Sequence, residues 1–278
     1  MRFLAVGDLL VDVISEQEAP GPGTRAHAPV AIRAGGSAAN AAVWAVVLGA
    51  AATVVGRVGA DPAGDLVERV LIDRGIDAHL ARDRDLPTGV AVALGAAVVA
   101  APGASAKLAP EDVPDRLTGD SLLVSGFSLF QAGSAAGARA ALERFEGPWV
   151  AVDLASPRLA AAADLEDACS GANVALATAR EAQAVTGSGP EEAVRELAGR
   201  FGLACVKLGE EGALAAEGAR IIRARADSVV RRSRFGAGDG FAAALLVSLA
   251  DGRSIDEALH AACATGARAA ASTDGWPE

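Results

Sequence analysis

The sequence contains no tyrosine and only one methionine, and aromatic residues make up 4% of its 278 positions. Together with heavy use of Ala, Gly and Arg, this looks like GC-rich coding, so alanine runs are weak evidence for helix. Basic residues are also in short supply: 25 Lys and Arg face 35 Asp and Glu, for a net charge of −10. No basic block is longer than Arg231-Arg232. Nucleic acid and anionic membranes are therefore poor partners. Cysteine is limited to Cys169, Cys205 and Cys263, with no CxxC and only His260 nearby. That spacing argues against a disulfide framework or a zinc site and for buried thiols in a reducing cytosol, the expected location. No uninterrupted apolar run has membrane character. The opening MRFLAVGDLLVDVI resembles a signal segment, but Asp8 and Asp12 interrupt it and no cleavage pattern follows, so it reads as a strand.

What is present is ample core material, 51% hydrophobic against 22% charged, enough for one large domain or a domain with a small appendage. The most informative stretch is Arg234-Phe235-Gly236-Ala237-Gly238-Asp239-Gly240-Phe241, followed by AAALLVSLA. A bare Gly-Ala-Gly backbone entering a buried helix presents unpaired N–H groups at the positive end of the helix dipole, a site suited to phosphate. Asp239 would repel an anion there. It makes sense as a base that takes a proton from a hydroxyl while the amides hold the charge on a transferring phosphoryl group. The plainer alternative is a glycine-rich turn with an Asp cap, and the stretch alone leaves both open.

A second glycine loop, Gly35-Gly36-Ser37-Ala38-Ala39-Asn40, opens an apolar helix running to Leu48. Asn40 is a mediocre helix former in that first turn and is explained if its amide binds a polar ligand. Asp12, flanked by Val11 and Val13, is a candidate for a buried polar contact. Residues 15–33 read as a loop or weak hairpin, and the β-rich run VAVALGAAVVAA could pair with residues 22–33 as the rest of a small sheet. Apolar strands are expected at 2–7, 52–56, 149–155, 172–177 and 204–208, and 121–130 reads as a buried strand with its exit loop. Helices are expected at 62–74, 134–145, 191–200 and 254–271, and Pro110 begins a further helix. The alternation means a parallel sheet covered on both faces, with ligands at the carboxyl ends of its strands. Asp8, Asn40, Asp153, Glu181, Gly209 and Asp239 all fall at strand ends or helix starts on that edge.

GGSAAN at 35–40 and GAGDGF at 236–241, roughly 200 residues apart in this order, resemble the two signatures of the ribokinase-like, or PfkB, carbohydrate kinases. KLGEEGA at 207–213, TARE at 178–181, and Asp153 with Arg158 are weaker matches. The resemblance implies a single kinase domain over 1–278, a three-layer α/β/α sandwich with a mostly parallel central sheet. It also implies a small β lid from about 15–33 and 86–100, a surface through which such kinases often dimerise. Asp239 would be the catalytic base, and Gly236, Ala237 and Gly238 the anion hole. Asp12, Gly35, Gly36 and Asn40 would hold sugar hydroxyls. Lys207, Gly209 and Gly212 would lie near ATP, and Glu181 would organise Mg2+ through water. The implied reaction is phosphorylation of a hydroxymethyl group on a small sugar, sugar acid or nucleoside.

Three departures stand out. Ser233-Arg234-Phe235 replaces the usual Asp-Thr-Thr sequence, which puts monovalent-cation activation in doubt. Thr178 replaces an Asn. Pro102 stands where a lid Arg often contacts a charged substrate, which argues against a phosphorylated sugar. These losses keep a second reading open, a catalytically weak ligand-binding or regulatory protein on the same fold. A Rossmann oxidoreductase is excluded, since GDLLVD is not GxGxxG and no such fingerprint occurs elsewhere.

Overall fold

A computed structural model describes residues 1–278 except 16, 19, 22, 96, 231, 234, 274 and 278. Among the described residues, nine strands form one sheet. In spatial order they are Arg220–Ala224, Ala213–Glu217, Leu203–Lys207, Val174–Thr178, Trp149–Asp153, Ser121–Ser125, Arg2–Val6, Ala51–Gly59 and Asp77–Asp83. Pairing is parallel from Leu203–Lys207 through to Asp77–Asp83. The two strands at the other edge run antiparallel. The central strands are almost wholly buried, as in Ser121–Ser125 and Val174–Thr178, which is why they read as continuous apolar runs.

Helices cover both faces. The Ser37–Val47, Ala237–Ala250 and Ile255–Ala271 helices enclose one core layer around Trp44, Phe241 and Leu245. The Ala135–Arg144 and Pro190–Phe201 helices enclose the other around Leu122, Leu154 and Leu197. This is the three-layer α/β/α sandwich anticipated above. After the central Arg2–Val6 strand the chain builds Ala51–Gly59 and Asp77–Asp83 on one side, then crosses to Ser121–Ser125 on the other. The order therefore reverses beside Arg2–Val6, and a crevice at such a reversal is where open α/β sheets bind ligands. Among the described residues, no helix is long and apolar enough to cross a membrane.

A separate four-stranded sheet has the order Ala31–Gly35, Leu10–Ser15, Thr88–Leu94, Ala97–Gly103. The expected direct pairing of 22–33 with the VAVALGAAVVAA run is not made. Leu10–Ser15 lies between them, antiparallel to Ala31–Gly35 and parallel to Thr88–Leu94. This strand is buried around Asp12, and it accommodates the charge because Arg33 stands directly opposite in register. The expected helix at Pro110 is a single 3-10 turn, Pro110–Asp112. There the Asp112 carboxylate turns back to accept from Ala109 N–H at 2.9 Å and to meet Arg57 at 2.9 Å.

Candidate active site

Gly236 adopts φ 83°, and from it the buried Ala237–Ala250 helix begins. The first helical bond runs from Gly240 N–H to Gly236 C=O at 2.7 Å. The N–H groups of Ala237, Gly238 and Asp239 are thus first-turn donors without partners inside the helix. Gly236 cannot be larger, since a Cβ there would meet Gly275 O at 2.5 Å. Gly238 is approached by Lys207, whose Nζ would be 3.5 Å from a Cβ at that position. Dipole and ammonium reinforce one another at this loop, the arrangement that favours a bound anion.

Asp239 occupies the first turn of the same helix and is half-buried. Its Oδ2 accepts from Asn40 Nδ2 at 2.8 Å. Burial raises its pKa to about 7; Asp153 and Asp8 add to the rise, while the Asn40 hydrogen bond and Lys207 oppose it. The carboxylate is poised to exchange a proton near neutrality.

The Gly35–Asn40 glycine loop is held by Asp8, which accepts from Ser37 N–H at 3.0 Å and from Ser125 Oγ at 2.8 Å. Gly36 has φ 92°, and a Cβ on it would lie 2.3 Å from Asp8 O. Gly35 lets the Asp12 carboxylate lie flat against the backbone, since its Cβ would fall 2.1 Å from Asp12 Oδ2. Asp12 is 1% exposed and pairs with Arg33 at 3.2 Å. Burial raises its pKa to about 6 and Asp8 adds to this, against the opposing effect of Arg33.

At the next strand ends, Lys207 Nζ meets Asp153 Oδ2 at 2.5 Å. Asp153, Glu181 and Asp239 all hold Lys207 in its charged form against burial, and its pKa is raised. Glu181 is buried and closes a capping box, accepting from Thr178 N–H at 2.7 Å while Thr178 Oγ1 accepts from Glu181 N–H at 3.3 Å. The threonine in place of the usual Asn is therefore a working helix cap. Burial, followed by the neighbouring Asp153, raises the Glu181 pKa.

These groups converge on one cavity of about 710 Å³, within the ordinary range for a small-molecule site. Asp12, Gly36, Asn40, Glu181, Lys207, Gly236, Ala237, Gly238 and Asp239 all line it. Gly35, Gly209 and Gly212 are not among its lining residues. Gly209 and Gly212 have φ of 67° and 97°, and a Cβ on Gly212 would strike Ala224 O at 2.0 Å, so the turn itself requires glycine. Phe127 lines the cavity and is 38% exposed, whereas Phe130 packs into the core layer. Pro102 reaches the cavity from the Ala97–Gly103 strand of the four-stranded sheet. Ser233 is buried, with its hydroxyl bonded to the Phe235 backbone at 3.1 Å. Arg234 lies outside the described residues.

Two features were missed from the sequence. Ala155 has φ 60° and lines the cavity just after Asp153, strain of the kind found at functional sites. No residue-type signal marks it, because alanine is not a residue expected there. Trp276 donates from Nε1 to Asn40 Oδ1 at 2.6 Å, a contact across more than 200 positions that no spacing rule could reveal.

A mostly parallel sheet with such a cavity at its switch point, a carboxylate at a helix N-terminus and an adjacent bare amide loop define a phosphoryl-transferring kinase. Residues 2–275 match the family described as pfkB family carbohydrate kinase, and the chain belongs to that family. It is 32% identical over 269 residues to a fructokinase of Klebsiella pneumoniae, covering 90% of this chain and 84% of that one. The solved adenosine kinase from Sinorhizobium meliloti superposes with TM-score 0.85 at 22% identity, over 99% of this chain and 95% of that one. A fructokinase from Vibrio cholerae O395, bound to fructose, ADP and calcium, has TM-score 0.82 at 27% identity, over 99% and 94%. The protein is a sugar kinase of this family.

Proposed function

We propose that this kinase transfers the γ-phosphoryl group of ATP to a hydroxymethyl group of a small uncharged sugar or nucleoside, with Asp239 as the base. The observation that carries this reading is a carboxylate with a near-neutral pKa beside the Gly236–Gly238 amides, in the same cavity as Asp12. The acceptor hydroxyl gives its proton to Asp239 as its oxygen attacks the γ-phosphorus. The bond from that phosphorus to the bridging oxygen breaks, and ADP leaves. The first-turn N–H groups and Lys207 hold the charge on the phosphoryl oxygens. Asp12 and Asn40 orient the acceptor, with the backbone of Gly35 and Gly36 fixing their positions.

The residues present fit a nucleotide–magnesium complex. Glu181 is a buried carboxylate that already spends one oxygen on a backbone N–H, and magnesium commonly takes few protein ligands and keeps several waters. Bound there, the ion would neutralise phosphate charge, with Glu181 holding its water shell.

The uncharged acceptor is favoured by the lid. Its cavity-lining residues are Leu10, Asp12, Ala91, Val98, Ala100 and Pro102, one acid among five apolar side chains. Such a wall excludes water from the transfer, and the lid side offers no cation to a second phosphate, the cavity's cations being Lys207 and Arg158 among the described residues. On the lid, Ile32 is 64% exposed and Val99 73% exposed, and this apolar surface supports a dimer made through that sheet.

The test is ADP release by the purified protein with magnesium–ATP and a panel of sugars, sugar acids and nucleosides, beside Asp239→Asn. Turnover should vanish in the variant while ATP and acceptor still bind. Undiminished turnover would reject Asp239 as the base.

A further inference from the structure

Trp276 lies beyond the Ile255–Ala271 helix, is 4% exposed and does not line the cavity. Its neighbour Gly275 lies against the anion loop. A Cβ on Gly275 would meet Phe235 O at 2.2 Å, and Gly275 O accepts from Trp44 Nε1 at 2.9 Å. Trp276 is thereby fixed to the floor of the loop that carries Gly236. An indole nitrogen only donates, so the atom 2.6 Å from it must be the amide oxygen of Asn40. The amide nitrogen then faces Asp239 Oδ2 at 2.8 Å. Reversed, the amide would set its oxygen against a carboxylate and its N–H against an N–H.

We propose that Trp276 is a positioning residue for phosphoryl transfer, holding the Asn40 amide in the one orientation that donates to Asp239. The inference rests on the reading of Asp239 as the base. Arg33 Nη1 also approaches Asn40 Oδ1, but at 3.4 Å, and the same guanidinium pairs with Asp12 at 3.2 Å. It is too long a contact to hold the amide by itself.

Trp276→Phe removes the N–H and leaves an aromatic ring for the Arg33 and Arg74 guanidiniums, which lie 4.8 and 4.7 Å from the indole centroid. The charges facing Asp239 are Asp8, Asp153 and Lys207, and those facing Asn40 are Arg33 with its partner Asp12. Glu181 faces Lys207. All of them remain in the variant.

Loosening one hydrogen bond to a charged group should lower kcat about tenfold at pH 7, with KM for ATP little changed. The acid limb of the rate profile should move to higher pH, since the Asn40 bond, alongside Lys207, favours ionised Asp239. In an Asn40→Ala background, Trp276→Phe should add nothing.

A second measurement stands even where Trp276→Phe does not fold. Among the three tryptophan indole N–H resonances, that of Trp276 should exchange slowly and shift on Asn40→Ala. An unchanged kcat and acid limb in folded Trp276→Phe would overturn the proposal. So would an equal further loss in the Asn40→Ala background, or an indole signal indifferent to Asn40→Ala. Turnover persisting in Asp239→Asn would instead overturn the base reading and this one with it.

Discussion

Asp239→Asn should stabilise the protein while removing its activity, and the gain should grow as pH rises. In the folded protein burial keeps the Asp239 proton on up to about pH 7, against an ordinary value of 3.8. Between those values the folded state binds a proton that the unfolded chain has lost, so stability falls as pH rises through the window and levels off above it. The raised pKa corresponds to about 4 kcal/mol at most, at 1.36 kcal/mol per pH unit. Part of that fall is complete by pH 5, leaving about 2–3 kcal/mol between pH 5 and pH 8. Asparagine does not titrate and keeps an oxygen able to accept from Asn40 Nδ2. The variant should therefore exceed the parent by about 1–2 kcal/mol at pH 5 and by about 4 kcal/mol at pH 8, a widening of about 2–3 kcal/mol, or roughly 3–5 °C in Tm. Urea unfolding of both proteins at pH 5, 6, 7 and 8 reads this difference. Asp12 and Glu181, also raised, titrate in both proteins and largely cancel in the comparison. A stability difference that stays constant across pH would refute the burial argument, whatever the activity does.

Gly35→Ala would place a Cβ 2.1 Å from Asp12 Oδ2. Moving that carboxylate off Arg33 should cost about 1–3 kcal/mol of stability and raise KM for the acceptor while leaving KM for ATP near the parent value. Equal changes in both KM values would count against Asp12 as an acceptor ligand. For the proposed lid dimer, Val99→Glu should convert the dimer to monomer in sedimentation velocity, and a parent protein that sediments as a monomer at micromolar concentration would end that proposal.

The parts of the fold legible in the sequence were those with one physical solution. Strands such as Ser121–Ser125 are buried on both faces, so their apolar runs admit little else. The two glycine loops stand out because Gly36 and Gly236 take positive φ against a backbone neighbour, a demand only glycine meets cheaply. The opening run reads as a strand and Asp12 as a buried polar contact, but the partner of Asp12 was hidden, because Arg33 lies 21 positions further on. The strand order of the lid was equally hidden, because alternation marks a face and not a neighbour. Gly209 and Gly212 lie outside the lining of the cavity, and the tight turn by itself accounts for Gly212.

If Asp239 is the base, as proposed above, base and anion hole make opposing electrostatic demands, and the surroundings of Asp239 are suited to meeting both at one helix start. Amides and Lys207 that attract phosphate would, by themselves, also hold Asp239 ionised and weakly basic. Burial with Asp8 and Asp153 pushes the other way, and Asn40 with Lys207 restrains the rise, leaving the group at about 7. A base with a pKa near the working pH combines a large ionised fraction with real proton affinity. Lys207 serves both sides of this balance, because its own charge is maintained by Asp153, Glu181 and Asp239 together. The acidic residues around the cavity therefore do not oppose anion binding so much as keep one cation charged beside the Gly238 backbone. On that view Lys207→Met would damage the site twice, weakening its hold on phosphate and raising the pKa of Asp239 beyond the range where it can accept a proton at neutral pH.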